Sequence, residues 1–526
     1  MKILTAAQMQ DIDSLTSQNC GIPSLTLMEN AGFNLYLAVL EMLDDPTTSD
    51  ISIICGKGNN GGDGFVLARQ LLQRGVFPDV FLLASKDSVG GDAAVNLQAL
   101  LESDYPVVEI TDEKIWAQVT ESLPPYDLIV DAILGTGICK PLTGLFAQVV
   151  EDINESGAPV LAVDIPSGMY SDSTEEGGLT VWADRTVTFT APKLAHMLHP
   201  SQEAIGELEI VPIGTPPALL ERDEYHVNLL TRDEVAEYLP PRPISSHKGT
   251  YGHVALIAAS TGKTGAAGLS SGAALRAGSG LVTAFVPEAV QNVVASYQSE
   301  LMTEGLPSTK SGNFSTAAAL PVINFLEGKD AAGIGPGLTT NTETIGFVHS
   351  VVQQSPIPLV IDADAVNAFQ DDLDALENEH GQSLILTPHP GEFSRLTGIS
   401  TQEILKDQIE VSRSFCLQRS VWLVLKTFRP LVITPEGTVF VSPMGNPGMA
   451  TAGMGDVLTG ILTSLVGQYA ARQRSGPTDI TQALCLGVFL HGLAGDFVAE
   501  ETGWEALVAG DVIDSLAEAF QLLEEE

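Results

Sequence analysis

Apolar residues recur at helical spacing over residues 5–43, interrupted at Gly21-Ile22-Pro23, which predicts two helices. The pattern then changes to short unbroken apolar runs. Ile51–Cys55, Val80–Ala84, Leu128–Ala132 and Val160–Asp164 predict buried strands. Phe65–Arg74, Ala93–Leu101 and Leu145–Asn154 between them predict helices, and Arg185–Thr190 and Leu208–Val211 predict two further strands. Such alternation builds a parallel, doubly wound sheet. A Pro-rich charged stretch around Pro212–Pro243 reads as a linker with one short helix, dividing the chain into residues 1–225 and 226–526. A second alternation follows: strand Val254–Ala259, helix Ala266–Ala277, strands Leu281–Val286, Ala331–Ile334, Leu359–Ile361, Leu384–Thr387 and Leu423–Leu425. A hairpin is expected at Leu431–Val441, turning through Pro435-Glu436-Gly437, and three helices close the chain. Trp182 and Trp422 read as core, and Glu524–Glu526 as a solvated end. No repeat joins the halves. The fold class is therefore α/β, in two different domains.

Composition adds a constraint. With 25 Lys+Arg against 66 Asp+Glu the net charge is −41, and the imbalance is mainly a shortage of bases. That argues against nucleic-acid binding, which needs clustered cations, and against docking on anionic membranes. The five cysteines are scattered without a CxxC pair, as expected of reduced thiols in a cytoplasmic protein. The first residues lack an apolar signal segment, and the run Ala483–Ala494 is broken by His491 and glycines.

Candidate chemistry gathers where strands end. Gly56–Gly64 interleaves five glycines with Asn59, Asn60 and Asp63 ahead of a helix, more polar side chains than a tight turn requires. Asp131, followed by Gly135-Thr136-Gly137-Ile138-Cys139-Lys140-Pro141, and Asp164-Ile165-Pro166-Ser167-Gly168 end two other strands of the same sheet. Asn60, Asp131 and Ser167 offer hard oxygens, suited to an alkali or alkaline-earth cation. In the second half, Gly453-Met454-Gly455-Asp456 opens a helix. Its amides can receive a phosphoryl group, and Asp456 can take a proton from an attacking hydroxyl. Helix capping is the plainer role for Asp456, and a structural histidine the plainer one for His389. The flanking glycines and prolines favour site roles for both. Gly492 and Asp496 read as helix packing and a surface acid.

The Asn59–Gly64 loop with Asp131, Gly135–Pro141 and Asp164–Gly168 resembles the NAD(P)H-hydrate epimerase family, over roughly residues 1–220. The resemblance implies a Rossmann-like domain with potassium held by Asn60, Asp131 and Ser167. Hydrated dinucleotide would bind at Asn59, Asn60, Gly61, Gly62, Asp63, Gly135–Pro141 and Asp164, with Asp164 assisting proton transfer. His247–Gly252, Thr264–Ala267, Gly333–Gly337, Asp362–Ala365, Thr387–Glu392 and Gly453–Asp456 together resemble ADP/ATP-dependent NAD(P)H-hydrate dehydratases of the ribokinase-like superfamily, over roughly residues 230–526. There the resemblance puts Ala266, Gly337, His389 and Asp456 on the hydrate, with Asp456 catalytic. It puts Lys426, Thr427, Phe428, Arg429, Pro430 and Asn446–Gly455, including Gly453, Met454 and Gly455, on ADP, with magnesium expected. That family usually has Gly after the lysine and Thr four residues beyond, where this chain has Thr427 and Pro430.

The implied protein is a cytoplasmic, homo-oligomeric enzyme. It would restore hydrated NADH and NADPH by epimerisation and then by dehydration with ADP or ATP as phosphoryl donor. A vitamin or sugar kinase fused to a nucleotide-binding domain would share Asp456, but it does not account for the Thr387–Glu392 motif or the first domain. A first domain that binds without catalysing is a further alternative, against which Asp164 and the full set of cation ligands stand. Because these ligands are polyanions, the charge of −41 should repel them, leaving attraction to helix N-termini, potassium and the few cations at Lys140, Lys248 and Lys426. Raising KCl should therefore tighten dinucleotide binding by screening that repulsion, which equilibrium titrations across a KCl series check; a steady loss of affinity would contradict it.

Overall fold

The computed structural model describes the whole chain except residues 122–123, 174–177, 223, 474–478 and 526. It divides into two compact units, Met1–Tyr225 and His226–Glu526.

The first unit begins with helices Ala6–Asn19 and Ser24–Met42, the former closed by a Thr5 capping box in which the Thr5 hydroxyl accepts from Gln8 N. Seven strands follow: β1 Ile51–Cys55, β2 Asp79–Leu82, β3 Val108–Glu109, β4 Leu128–Ala132, β5 Val160–Val163, β6 Arg185–Phe189 and β7 Glu207–Val211. They form one parallel sheet in the order β3-β2-β1-β4-β5-β6-β7. Every residue of β1 and β4 is buried, because helices cover both faces of the sheet. The chain reverses direction across the sheet between β1 and β4, so a crevice opens beyond their carboxyl ends.

Two expectations for this unit change. Asn59–Gly64 is not a loop: the helix starts at Asn59 and runs to Leu72, with Gly58 as its N-cap. None of Gly56, Gly58, Gly61, Gly62 and Gly64 has positive φ. Close approach explains four of them, since a Cβ on Gly56 would already overlap the Ile133 carbonyl. A Cβ on Gly61 would overlap the Gly56 carbonyl, and one on Gly62 or Gly64 would press into Met28 or Ala132. Trp182 is not core. It lies outside any strand and is 57% exposed. Elements that the sequence pattern does not show include the short exposed strand β3, the helix Leu194–Met197 and the helix Glu113–Thr120, whose N-cap Asp112 accepts from the amides of Lys114 and Ile115.

Among its described residues the second unit holds ten strands. They are β8 Val227–Leu229, β9 His253–Ile257, β10 Leu281–Pro287, β11 Met302–Leu306, β12 Ala331–Ile334, β13 Leu359–Ile361, β14 Leu384–Leu386, β15 Trp422–Leu425, β16 Leu431–Ile433 and β17 Val439–Val441. Their order is β11-β10-β9-β12-β13-β14-β15-β16-β17-β8. Pairing is parallel except for the β15-β16-β17 meander. The expected linker is corrected here: its Val227–Leu229 segment pairs with β17 and closes the edge of this sheet. Helices Thr264–Arg276, Met454–Arg472, Ile480–Thr502 and Ala509–Glu524 supply much of the core. Ile480–Thr502 is long and apolar enough to cross a bilayer, yet 78% of its most apolar window is buried inside the unit, as a core helix requires. Glu524 ends the last helix, and Glu526 lies outside the described residues.

Replacing Gly61 by Ala should force the Asn59 helix off the Gly56 carbonyl and cost about 1–3 kcal/mol. Calorimetry of the whole chain should show the first unit melting lower, by about 2–4 °C per kcal/mol, with the second unit unmoved.

Candidate active sites

The first crevice encloses about 500 Å³. Asn59, Asn60, Asp63, Gly135, Thr136, Gly137 and Asp164 line it, while Ile138–Pro141 do not. Cys139, Lys140 and Pro141 are exposed beyond its rim. Gly61 and Gly62 sit beneath it in the helix packing. No side chain caps the Asn59 helix, so its first-turn amides face the crevice for a ligand anion.

Polar groups from β4 and β5 lock the crevice floor. Ser167 Oγ donates to Asp131 Oδ1 (2.6 Å), Ser167 N donates to Oδ2 (2.7 Å), and Leu134 N donates to Ser167 Oγ (2.9 Å). Burial pushes the Asp131 carboxyl up to about 6 despite these bonds. Asn60 lies against Gly135, and its buried amide nitrogen has no hydrogen-bond partner.

Asp164 is held differently. Its φ of +64° places it in the left-handed region, where Asp is among the few side chains tolerated. Lys193 Nζ donates to Asp164 Oδ1 (2.5 Å) and to Thr188 Oγ1 (2.8 Å), and Thr188 Oγ1 in turn lies 2.9 Å from Asp164 Oδ1. Burial alone would raise the Asp164 carboxyl, but the Lys193 ammonium overrides it and holds the pKa below the ordinary value. Lys193 is almost wholly buried, and the sequence reading missed it. A lysine inside the run Phe189–Ala195, otherwise nearly free of charge, was the available signal.

The second crevice encloses about 720 Å³. His389, Lys426, Thr427, Phe428, Pro430, Gly453, Met454, Gly455 and Asp456 line it, joined by Asp362 and Glu392. Ala266, Gly337 and Arg429 fall outside this lining. A Cβ on Gly337 would reach 3.1 Å from the Ala266 Cβ, so those two residues adjoin each other. Arg429 lies over the Phe428 ring, 4.8 Å from its centroid. Lys248 belongs elsewhere: it opens the turn Lys248–Tyr251, and the following Gly252 packs on Gly467, toward the far end of the helix that begins at Met454. Asp496 is not a free surface acid, since it accepts from Gly445 N and Asn446 Nδ2 and so shapes the Met444–Pro447 wall.

Gly453 has φ +90°, which turns the chain into the helix Met454–Arg472 with uncapped first-turn amides. Lys426 Nζ donates to Asp362 Oδ1 (2.6 Å) and lies 3.8 Å from Glu392 Oε2. A Cβ on Gly455 would come within 3.3 Å of that ammonium, so the missing side chain lets Lys426 approach the helix start. A cation beside a helix N-terminus is unfavourable unless negative charge intervenes. Here the two carboxylates supply it, with Thr387 and Thr459 hydroxyls bonded to Asp362. Burial opposes the Lys426 charge, but Asp362 and Glu392 raise its pKa above the ordinary value. For Asp456, burial and then Asp362 push the carboxyl up to about 6. Positive groups thus converge where a phosphoryl anion could sit, beside a carboxylate poised to exchange a proton.

Comparison with known proteins agrees with this geometry. The family model described as NAD(P)H-hydrate dehydratase matches residues 254–518, and the one described as YjeF-related protein N-terminus matches residues 24–195. The bifunctional NAD(P)H-hydrate repair enzyme Nnr of Moorella thermoacetica is 41% identical over 527 residues, covering 100% of this chain and 98% of that protein. This chain belongs to that family. The Escherichia coli enzyme of the same description is 32% identical over 466 residues, covering 88% of this chain and 84% of its own. Among solved structures, the Bacillus subtilis ADP/ATP-dependent NAD(P)H-hydrate dehydratase co-crystallised with ATP/Mg2+ is 27% identical, with a TM-score of 0.48, and covers 56% of this chain and 99% of that one. The family resemblance read from the motifs is borne out for both halves. The chain is a bifunctional NAD(P)H-hydrate epimerase and dehydratase, not a vitamin or sugar kinase.

Because the folded pKa of Asp456 lies above its unfolded value of 3.8, its contribution to stability is present below that value and is lost as pH rises towards 6. Asp456→Asn should therefore unfold like the parent at pH 4 but be roughly 1–3 kcal/mol more stable at pH 8, a gain that thermal melts of the second unit at both pH values would reveal.

Proposed function

We propose that Asp456 and the Met454 helix start perform the phosphoryl transfer in the second crevice, and that Asp164 exchanges protons with the hydrate in the first. The observation that carries the second-site reading is the meeting of Lys426, the Gly453–Gly455 amides and Asp456 at one point of the crevice wall. There Asp456 takes the proton of the hydrate hydroxyl while that oxygen attacks the terminal phosphorus of ADP or ATP, and the P–O bond to the remaining nucleotide breaks. The new phosphate ester then leaves with its C–O electron pair, a far better leaving group than hydroxide. Loss of a proton from the neighbouring ring carbon restores the nicotinamide double bond. Lys426 and the amides bear the charge that develops on the transferring group. His389 holds its ring by accepting from Gly391 N (3.0 Å), which suits it to orient the hydrate. Ala266 and Gly337 would contact the hydrate outside the main wall, and Thr427, Phe428, Arg429 and Pro430 the nucleotide.

In the first crevice Asn59, Asn60, Asp63 and Gly135–Gly137 would hold the hydrated dinucleotide, with Gly61 and Gly62 packing the helix beneath it and Ile138–Pro141 meeting only parts of the ligand that extend beyond the rim. Asn60, Asp131 and Ser167 fit potassium by their chemistry, with one carboxylate, one hydroxyl and one amide oxygen, all hard donors carrying a single charge. Bound there, potassium would supply a fixed positive charge beside Asp131, whose hydrogen-bond donors are all neutral. Magnesium would accompany the nucleotide, for which the Asp362 and Glu392 carboxylates are suitable hard oxygens. We further propose a cytoplasmic homo-oligomer. Phe33, Leu37 and Leu40 are each about two-fifths exposed and share one face of the Ser24–Met42 helix, which suits contact with a second copy.

A mixture of both NADH-hydrate epimers supplied with ADP, and separately with ATP, should recover the absorbance of reduced nicotinamide. Asp456→Asn should abolish recovery, whereas Asp164→Asn should repair the S epimer and leave the R epimer behind. Full repair by Asp164→Asn at the parent rate would remove Asp164 from the mechanism.

A further inference from the structure

The first crevice contains an acid that the sequence motifs do not reach. Asp13, on the helix Ala6–Asn19, lies outside residues 24–195 matched by the family model, yet it lines the same cavity as Asp63, Asp164 and Lys193. Its Oδ1 is buried and has no hydrogen-bond partner. An unpartnered carboxylate oxygen in a cavity wall is costly unless a ligand completes it.

We propose that Asp13 is the general acid of the epimerase, working with Asp164 as the base. This rests on the reading of the first domain as the epimerase. Hydration of an enamine places the hydroxyl on the carbon bonded to nitrogen, so the epimeric carbon is a hemiaminal. Asp13 donates its proton to that hydroxyl; the C–O bond breaks as the ring-nitrogen lone pair forms the C=N bond, and water leaves. A second water adds to the other ring face, its oxygen forming the new C–O bond while the C=N pair returns to nitrogen. Asp164 accepts the proton this water releases, and proton exchange with solvent resets both carboxyls. No oxidant, reductant or nucleotide is consumed.

The surroundings separate the two acids as this division of labour needs. Lys193 sits 2.5 Å from Asp164 and keeps it ionised. Asp13 has no such direct partner: burial pushes it up to about 6, with Lys193 opposing and Asp164 reinforcing. Lys57, Asp63 and Asp92 also line the crevice, and His196 lies against Lys193. Burial, Asp164 and Asp13 together drive Asp63 well above the usual carboxylate range, and burial drives His196 down to about 3, so it is neutral. Carboxyls pushed apart in this way divide into acid and base. Asp63 lies on the helix that cradles the dinucleotide, whereas Asp13 and Asp164 reach the cavity from a different helix and from the sheet edge.

The test follows R-to-S conversion by chromatography with the full chain, without nucleotide, in water enriched in oxygen-18. Asp13→Asn should lower kcat by about 100-fold or more with little change in KM, abolish the alkaline fall of the parent's pH profile, and stop label entering the hydroxyl. Asp13→Glu should restore part of the rate. A parent-like calorimetric transition of the first unit in the same Asp13→Asn protein reports that this unit remains folded, and nucleotide-dependent dehydration of the S epimer reports the same for the second. A parent-like rate and pH profile in Asp13→Asn, or epimerisation by the parent without label, would overturn the proposal. If the parent chain itself failed to interconvert the epimers, the epimerase reading would fall and the role of Asp13 with it.

Discussion

Both crevices depend on one arrangement, a lysine held against an aspartate that follows a parallel strand, the lysine buried in the first and partly buried in the second. Lys193 meets Asp164 after β5, and Lys426 meets Asp362 after β13. A chain with so few bases cannot draw polyanions by its overall field, so each cation must act at contact distance. A buried pair is a poor source of stability, since desolvation offsets much of the attraction, but removing one member strands the other and costs about 3–5 kcal/mol. The lysines thus bind two tasks together. Each neutralises the polar strand ends when the site is empty, and each remains within reach when an anion arrives.

The sheets explain why these pairs form where they do. In each unit the chain changes direction between two adjacent central strands, β1 and β4 in the first and β9 and β12 in the second. Crossover connections diverge on either side and leave a crevice that backbone alone cannot fill. Close packing then brings helix starts to the crevice. Gly61 lets the Asn59 helix rest on the Gly56 carbonyl, and Gly455 lets Lys426 approach the Met454 helix. These glycines serve contact rather than loop flexibility.

That distinction also explains what could be read from residues alone. Ile51–Cys55, Leu128–Ala132 and Leu359–Ile361 were legible to the residue because a strand covered on both faces is a near-continuous apolar run, whatever its neighbours. The polar strand ends were legible as chemistry because Asn59 and Asp456 follow glycines directly, while Asp131 and Asp164 stand at the ends of apolar runs with Gly135 and Gly168 a few residues on. The Asn59–Gly64 helix was not legible, since helix propensity argues against three glycines and two Asn, and tertiary packing overrides it. Val227–Leu229 looked like linker because three residues carry no period, and only β17 makes them a strand. Lys193 and Asp13 were hidden for a related reason. Their partners lie far away in sequence, and a single charged residue beside a helix or strand shows nothing of what the fold brings to meet it.

The left-handed backbone at Asp164 limits what natural or laboratory variation can reveal. Only Gly, Asn and Asp occupy such a conformation readily, so most replacements at this position would bend the end of β5 before altering any proton transfer. A saturation library would therefore score position 164 as intolerant for reasons of shape, even if the carboxyl had no chemical part. Asn, alike in outline and without charge, is the one replacement whose phenotype speaks to reactivity.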